Sequence, residues 1–112
     1  MKPNRNDSAR QQKRNEDALF SAVQSLQDVD ECRRFFLDLC TPAELQALVD
    51  RWQVVGLLGE KLPYRRINEM TGVSVTTIGR VARSLTQGHG GYEAAISHTA
   101  HPVHQTDNSA TR

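Results

Sequence analysis

The sequence has little cysteine, few aromatic residues and no long apolar run. Its 112 residues include two Cys, three Phe, two Tyr and one Trp. No uninterrupted apolar stretch approaches the roughly 20 residues of a membrane span, and the polar N-terminal segment lacks the apolar core of a secretory signal. Two cysteines in such a chain are expected to be reduced thiols. These absences predict a small one-domain cytoplasmic protein that has no membrane partner.

Catalytic and metal-binding patterns are missing as well. We find no nucleophile with a neighbouring base, no glycine-rich phosphate loop and no CxxC pair. His98, His101 and His104 are spaced by three, but Pro102 lies among them. Because proline disrupts a helix, these histidines are not expected to share one face and bind a metal. We therefore expect neither an enzyme nor a metal site.

The net charge of +1 conceals an uneven distribution of charge along the chain. Residues 1–14 carry five bases and one acid, residues 15–60 carry three bases and nine acids, and residues 61–87 carry five bases and one acid. Two basic segments on either side of an acidic one favour a basic face that meets a polyanion such as DNA. An ordinary solvated surface is the alternative.

The spacing of apolar residues predicts helices throughout the central part of the chain. Apolar positions recur at steps of three and four over residues 15–97, and none alternate for long with a period of two. Residues 1–14 and 98–112 are polar, so we expect a disordered basic tail and a disordered C-terminal tail. The expected fold is all-α.

One of these helices has a well-marked start. Thr41 can be its N-cap, Pro42 its first residue and Glu44 its third, which is a capping box. This helix should end near Gly59.

The second half of the same helix is apolar on more than one face, and Trp52, Val55 and Leu58 belong to it. A helix that is apolar nearly all round must be buried nearly all round, and about 80 ordered residues supply little material to cover it. We therefore expect a homodimer in which the subunits share these three side chains. A central helix in a compact monomer is the alternative.

Residues 63–86 carry the pattern of a helix-turn-helix. Pro63 can open a short helix, Gly72 can take the left-handed conformation of a turn, and Ser74 can cap a second helix. The inward-facing positions of this pair of helices are Ile67, Val73, Ile78 and Val81. Their spacing packs two short helices across a tight turn.

The second helix of this motif has the residues expected of a DNA-recognition helix. Small residues at its start allow close approach to base edges, threonine can bond a base or touch a thymine methyl, and arginine can pair with guanine or phosphate. The candidate DNA-binding residues are Arg65, Arg66, Val75, Thr76, Thr77, Gly79, Arg80 and Arg83. Lys61 and the basic segment 1–14 add attraction for phosphates. The alternative is a helical dimerisation or protein-interaction module in which the helix-turn-helix is only structural.

The stretch from Phe20 to Tyr92 resembles the Trp repressor superfamily, and within it the YerC/YecD-type branch of TrpR-related proteins. The residues that carry the resemblance are Cys40-Thr41-Pro42-Ala43-Glu44, Arg51, Asn68-Glu69, the run from Thr76 to Leu85, and Gly88, Gly90, Gly91 and Tyr92. The resemblance implies a six-helix fold and an intertwined homodimer. It also implies a transcription regulator that binds palindromic operator DNA through two symmetric helix-turn-helix units.

The resemblance also implies a position for a possible ligand. Tryptophan-sensing members hold an amino-acid corepressor with a Thr, two Arg and a Ser, and the matching positions here are Thr41, Arg51, Arg80 and Ser84. Val81 stands where those members have a glycine against the indole ring. Because valine takes up space that glycine leaves open, we expect no response to tryptophan. A salt bridge of Arg51 to an acid such as Glu44 is the alternative role for that arginine.

Overall fold

The computed structural model describes residues 5–99, with side chains described from Ser8 onward. All regular structure in this range is helical, which confirms the all-α prediction. The six helices are α1 (Arg5–Gln24), α2 (Val29–Leu39), α3 (Pro42–Gly59), α4 (Tyr64–Thr71), α5 (Val75–Gln87) and α6 (Gly91–Thr99). The chain divides into two compact units, residues 1–42 and 43–112. Within residues 5–99, no helix has the length and apolar character needed to cross a bilayer.

The first helix begins earlier than the sequence predicted. Residues 5–14, expected to be a disordered tail, form the first half of α1. A ladder of contacts between side chains four residues apart joins the end of this segment to the rest of α1: Gln11 Nε2 lies 3.0 Å from Asn15 Oδ1, and Lys13 Nζ lies 3.4 Å from Asp17 Oδ1. Such pairs stabilise a helix that buries little. Residues 1–4 of the expected tail lie outside the described range.

The C-terminal boundary also shifts by two residues. Helix α6 continues to Thr99, so His98 is helical where a tail was expected from residue 98. The remainder of that tail, with His101 and His104, lies outside the described range.

The start of α2 is fixed by two reciprocal hydrogen bonds. Asp28 is the N-cap, and its Oδ1 accepts from the Glu31 backbone N–H at 2.8 Å. The Glu31 carboxylate accepts in turn from the Gln27 backbone N–H at 2.8 Å. The first bond uses a backbone donor that the first turn of a helix leaves without a partner, and the second ties the residue before the N-cap to the same turn.

Helix α3 has the predicted bounds, and it ends in a Schellman motif. The Lys61 N–H donates to the Leu58 carbonyl at 2.9 Å, and the Leu62 N–H donates to the Leu57 carbonyl at 3.5 Å. This motif requires a left-handed residue after the helix, and Lys61 occupies that position with φ 65°. The chain is thereby turned toward α4 without a glycine.

The buried core of the described residues lies in the second unit. It consists of Val54, Val55, Ile67, Val73, Ile78 and Val81, each at most 7% exposed. The four positions predicted to face inward in the helix-turn-helix are all among them. The core fixes α5 against α4 and α3, so the outward face of α5 has a defined orientation.

Candidate nucleic-acid interface

The turn between α4 and α5 satisfies its own backbone. Gly72 ends α4 with φ 78°, and its N–H donates to the Asn68 carbonyl at 2.8 Å. The Asn68 side chain reaches forward to donate to the Val73 carbonyl at 2.8 Å. Thr71 Oγ1 accepts from the Val73 N–H at 3.0 Å and donates to the Ile67 carbonyl at 2.7 Å. The predicted left-handed glycine is confirmed, and the turn is tightly held.

The start of α5 is held by Ser74, as the sequence predicted. The Ser74 hydroxyl accepts from the Thr77 backbone N–H at 3.1 Å, and the Ser74 carbonyl accepts from the Ile78 N–H at 2.9 Å. These bonds leave the side chains at the beginning of α5 in fixed positions. Helix α5 is called the recognition helix below.

The recognition helix has one buried and one exposed face. Ile78 and Val81 are buried, at 0% and 3% exposure. The candidate DNA-binding residues Val75, Thr76, Arg80 and Arg83 are exposed, whereas Thr77 and Gly79 are half-buried. The structure therefore brings these candidates to one surface, with Thr77 and Gly79 closer to the core than the others.

The surface of the motif is rich in cations that lack acidic partners. Lys61, Arg65, Arg80 and Arg83 are exposed and make no ion pair with the described residues. Arg66 faces Glu69 at 3.7 Å, and both side chains are more than half exposed. A solvated pair of this kind contributes little to stability, so Arg66 can exchange its partner for a phosphate.

Three of the four positions implied for a corepressor lie on α3 and α5. Arg80 and Ser84 are exposed and one turn apart on the recognition helix, and Arg51 is exposed on α3. Arg51 makes no ion pair with the described residues, so the salt bridge considered from the sequence is absent there. Thr41 belongs to the other unit of the chain.

Val81, the position at which the resemblance implies a glycine in tryptophan-sensing members, is part of the core. It is 3% exposed and belongs to the same buried cluster as Val54 and Val55 of α3. Its side chain thus occupies space beside α3 in the folded unit.

A separate depression of about 480 Å³ lies where α3 and α6 meet. It is lined by Trp52, Gln53, Val55, Gly56, Leu57, Gly59, Glu60 and Ile96. It includes none of the positions implied for a corepressor. The Trp52 ring, 40% exposed, lies at its margin with its centre 6.3 Å from that of Tyr92.

The burial of Val55 corrects one expectation about the surface shared between subunits. Val55, expected to be shared between subunits, is 2% exposed because it packs in the core of its own unit. Trp52 remains available at the surface, and Leu58 is half-buried beside the core.

Comparison with known proteins identifies the relatives of the chain. Residues 14–100 match the Trp repressor protein family. The uncharacterized protein YerC of Bacillus subtilis (strain 168) is 46% identical over 80 residues, which are 71% of this chain and 77% of YerC.

Solved structures give the same answer for the fold. A TrpR-like protein from Eubacterium eligens ATCC 27750 is 43% identical, with a TM-score of 0.69 over 73% of this chain and 84% of that chain. A structure from Staphylococcus aureus is 38% identical, with a TM-score of 0.71 over 75% of this chain and 84% of that one.

Proposed function

The chain belongs to the Trp repressor family, a family of DNA-binding regulators and not of enzymes, and on that premise we propose its specific function. It is a cytoplasmic transcription regulator, acting as a repressor, that binds palindromic operator DNA sequence-specifically as a homodimer. The observation that carries the proposal is the exposed face of the recognition helix, where Thr76, Arg80 and Arg83 surround Gly79.

This face has the chemistry that a major groove requires. A recognition helix contacts base edges through residues near its N-terminus, and here these are Val75 and Thr76, both exposed. Arginines farther along the helix and on α4 are placed for guanine or phosphate contacts. The single acid of the motif, Glu69, faces Arg66 and does not oppose the other cations.

Exposed apolar side chains support the homodimer. Several large apolar residues of the first unit lie at the surface of the single chain, among them Phe20 at 61%, Val29 at 71% and Leu37 at 57%. Such side chains stay in water only at a cost of about 25 cal/mol per Å². A second copy of the chain would cover them and would also supply the second helix-turn-helix for a palindrome.

The packing of Val81 supports a regulator that does not depend on tryptophan. A ligand that binds between α3 and the recognition helix has to displace the Val81 side chain, which is already buried in the core. Ile78 and Val81 of the recognition helix are both buried in the core of the single chain, which supports an orientation set by packing.

In vitro selection of bound DNA from a random pool tests the proposal. We expect a palindromic site with half-sites about one helical turn apart. A salt-sensitive affinity without base preference would contradict it and would indicate general attraction to polyanions. A folded homodimer with no DNA affinity would instead favour the interaction module whose helix-turn-helix is only structural.

A further inference from the structure

We propose that Tyr64 is a further DNA-contacting residue, whose phenolic hydroxyl donates a hydrogen bond to a backbone phosphate beside the recognition helix. The inference rests on the proposed DNA-binding function and adds to it a contact that the polar and basic pattern of the sequence did not reveal. It starts from a contact between α4 and α5.

The Tyr64 ring lies against the recognition helix at its only outward glycine. Tyr64 Cε2 is 3.8 Å from the position that a Cβ would take at Gly79. Gly79 follows Thr76 by three residues and precedes Arg83 by four, so the three share a helix face. The ring is therefore held beside the residues proposed to meet DNA, at ordinary van der Waals distance from the Gly79 position.

The hydroxyl of this ring is available to a ligand. Tyr64 is 41% exposed, and its hydroxyl makes no hydrogen bond to other residues in the range 5–99. The next two residues, Arg65 and Arg66, are both exposed cations. An exposed donor among cations suits an anionic acceptor.

The position of Tyr64 favours phosphate over a base edge as that acceptor. Tyr64 is the first residue of α4, the helix before the recognition helix. In a helix-turn-helix the first helix crosses the DNA backbone while the second enters the major groove. Tyrosine hydroxyls are among the donors that bind phosphate oxygens and fix the position of the protein on the duplex.

Replacing Tyr64 with Phe removes the hydroxyl and keeps the ring against Gly79. We expect affinity for the selected and the scrambled duplex to fall by the same factor, about 10- to 150-fold, the range for hydrogen bonds to charged groups. The slope of affinity against salt concentration should not change, because a neutral group releases no counterion. The matched control is Tyr92→Phe on α6, a ring packed near Trp52, which should bind as the wild type does.

A scan with DNA in which single phosphates are replaced by methylphosphonate locates the contact. One symmetric pair of positions should weaken wild-type binding and have no effect on the Tyr64→Phe variant. Equal affinity of the wild type and Tyr64→Phe, or identical scans for both, would overturn the proposal. Loss of base preference in Tyr64→Phe would overturn the assignment to phosphate. A wild type that does not prefer the selected duplex would instead overturn the proposed function itself.

Discussion

The Ser74 hydroxyl both caps the recognition helix and binds the Thr77 side chain. It accepts from the Thr77 backbone N–H and donates to Thr77 Oγ1, each at 3.1 Å. Thr76 is exposed, and its side chain makes no hydrogen bond within residues 5–99. Two adjacent threonines that look equivalent in the sequence therefore have different surroundings.

This difference predicts different results for the two alanine substitutions. Thr76→Ala should lower affinity for the selected site by about 1–3 kcal/mol relative to a scrambled duplex and leave the free energy of unfolding unchanged. Thr77→Ala should lower the base preference similarly and also destabilise the fold by about 0.5–1.5 kcal/mol, since it removes a hydrogen-bond acceptor. Binding titrations and chemical denaturation measure both. If neither variant changes the ratio between duplexes, the recognition helix does not contact bases there.

Arg66 should strengthen binding to DNA without contributing to base preference. Arg66→Ala is expected to weaken binding to all duplexes and to lower the salt slope by about one unit for each phosphate that is no longer bound, or two for a dimer. Stability should be nearly unchanged, because the exposed pair with Glu69 contributes little. The measurement is affinity over a range of salt concentrations. An altered ratio between selected and scrambled DNA would show that Arg66 contacts a base.

Lys61 allows a separation of folding from DNA binding. Its left-handed conformation costs a non-glycine residue about 1–2 kcal/mol. Glycine removes that cost, but it also raises the conformational entropy of the unfolded chain, which lowers stability by about 0.4–1 kcal/mol. Lys61→Gly should therefore raise the free energy of unfolding slightly while weakening DNA binding, because the cation is removed. Lys61→Ala is the control, because it removes the charge and keeps the strain. A Lys61→Gly variant with wild-type affinity would exclude Lys61 from the interface.

Trp52 reports on the homodimer. In the single chain Trp52 is 40% exposed. Trp52→Ala should therefore lower the free energy of unfolding by the full ~3–5 kcal/mol of a buried aromatic residue only if a partner subunit covers it. For a dimer, the melting temperature should also rise with protein concentration. Sedimentation equilibrium and thermal melts at several concentrations measure this. A folded monomer at micromolar concentration would contradict the dimer.

We predict that Val81 prevents a response to tryptophan. We expect calorimetric titration of the wild type with L-tryptophan to give no strong binding and no change in DNA affinity. Val81→Gly should lower stability by about 2–4 kcal/mol through a cavity and a helix glycine. Gain of amino-acid binding in that variant would confirm that Thr41, Arg51, Arg80 and Ser84 form a competent polar frame. Micromolar affinity of the wild type would contradict the prediction.

The sequence alone determined α3, α4 and α5 and the motif that α4 and α5 form. The bounds of α3, the left-handed Gly72, the Ser74 cap and the four inward positions of the motif all follow from interactions between residues near in sequence. Capping bonds and a period of 3.6 residues depend on neighbours along the chain, so they can be seen without a fold. For the same reason the family could be identified from its motifs.

Tertiary structure decided the features that depend on residues distant in sequence. The burial of Val55 required knowledge of the core that α3, α4 and α5 form together. The place of the Tyr64 ring over Gly79 joins residues fifteen positions apart on different helices, and no local pattern predicts that contact. The early start of α1 is a separate case, because composition indicated disorder for a segment that buries little, and polar pairs four residues apart accompany the helix there. The sequence left the packing between helices undecided, because that packing depends on distances in three dimensions and not on spacing along the chain.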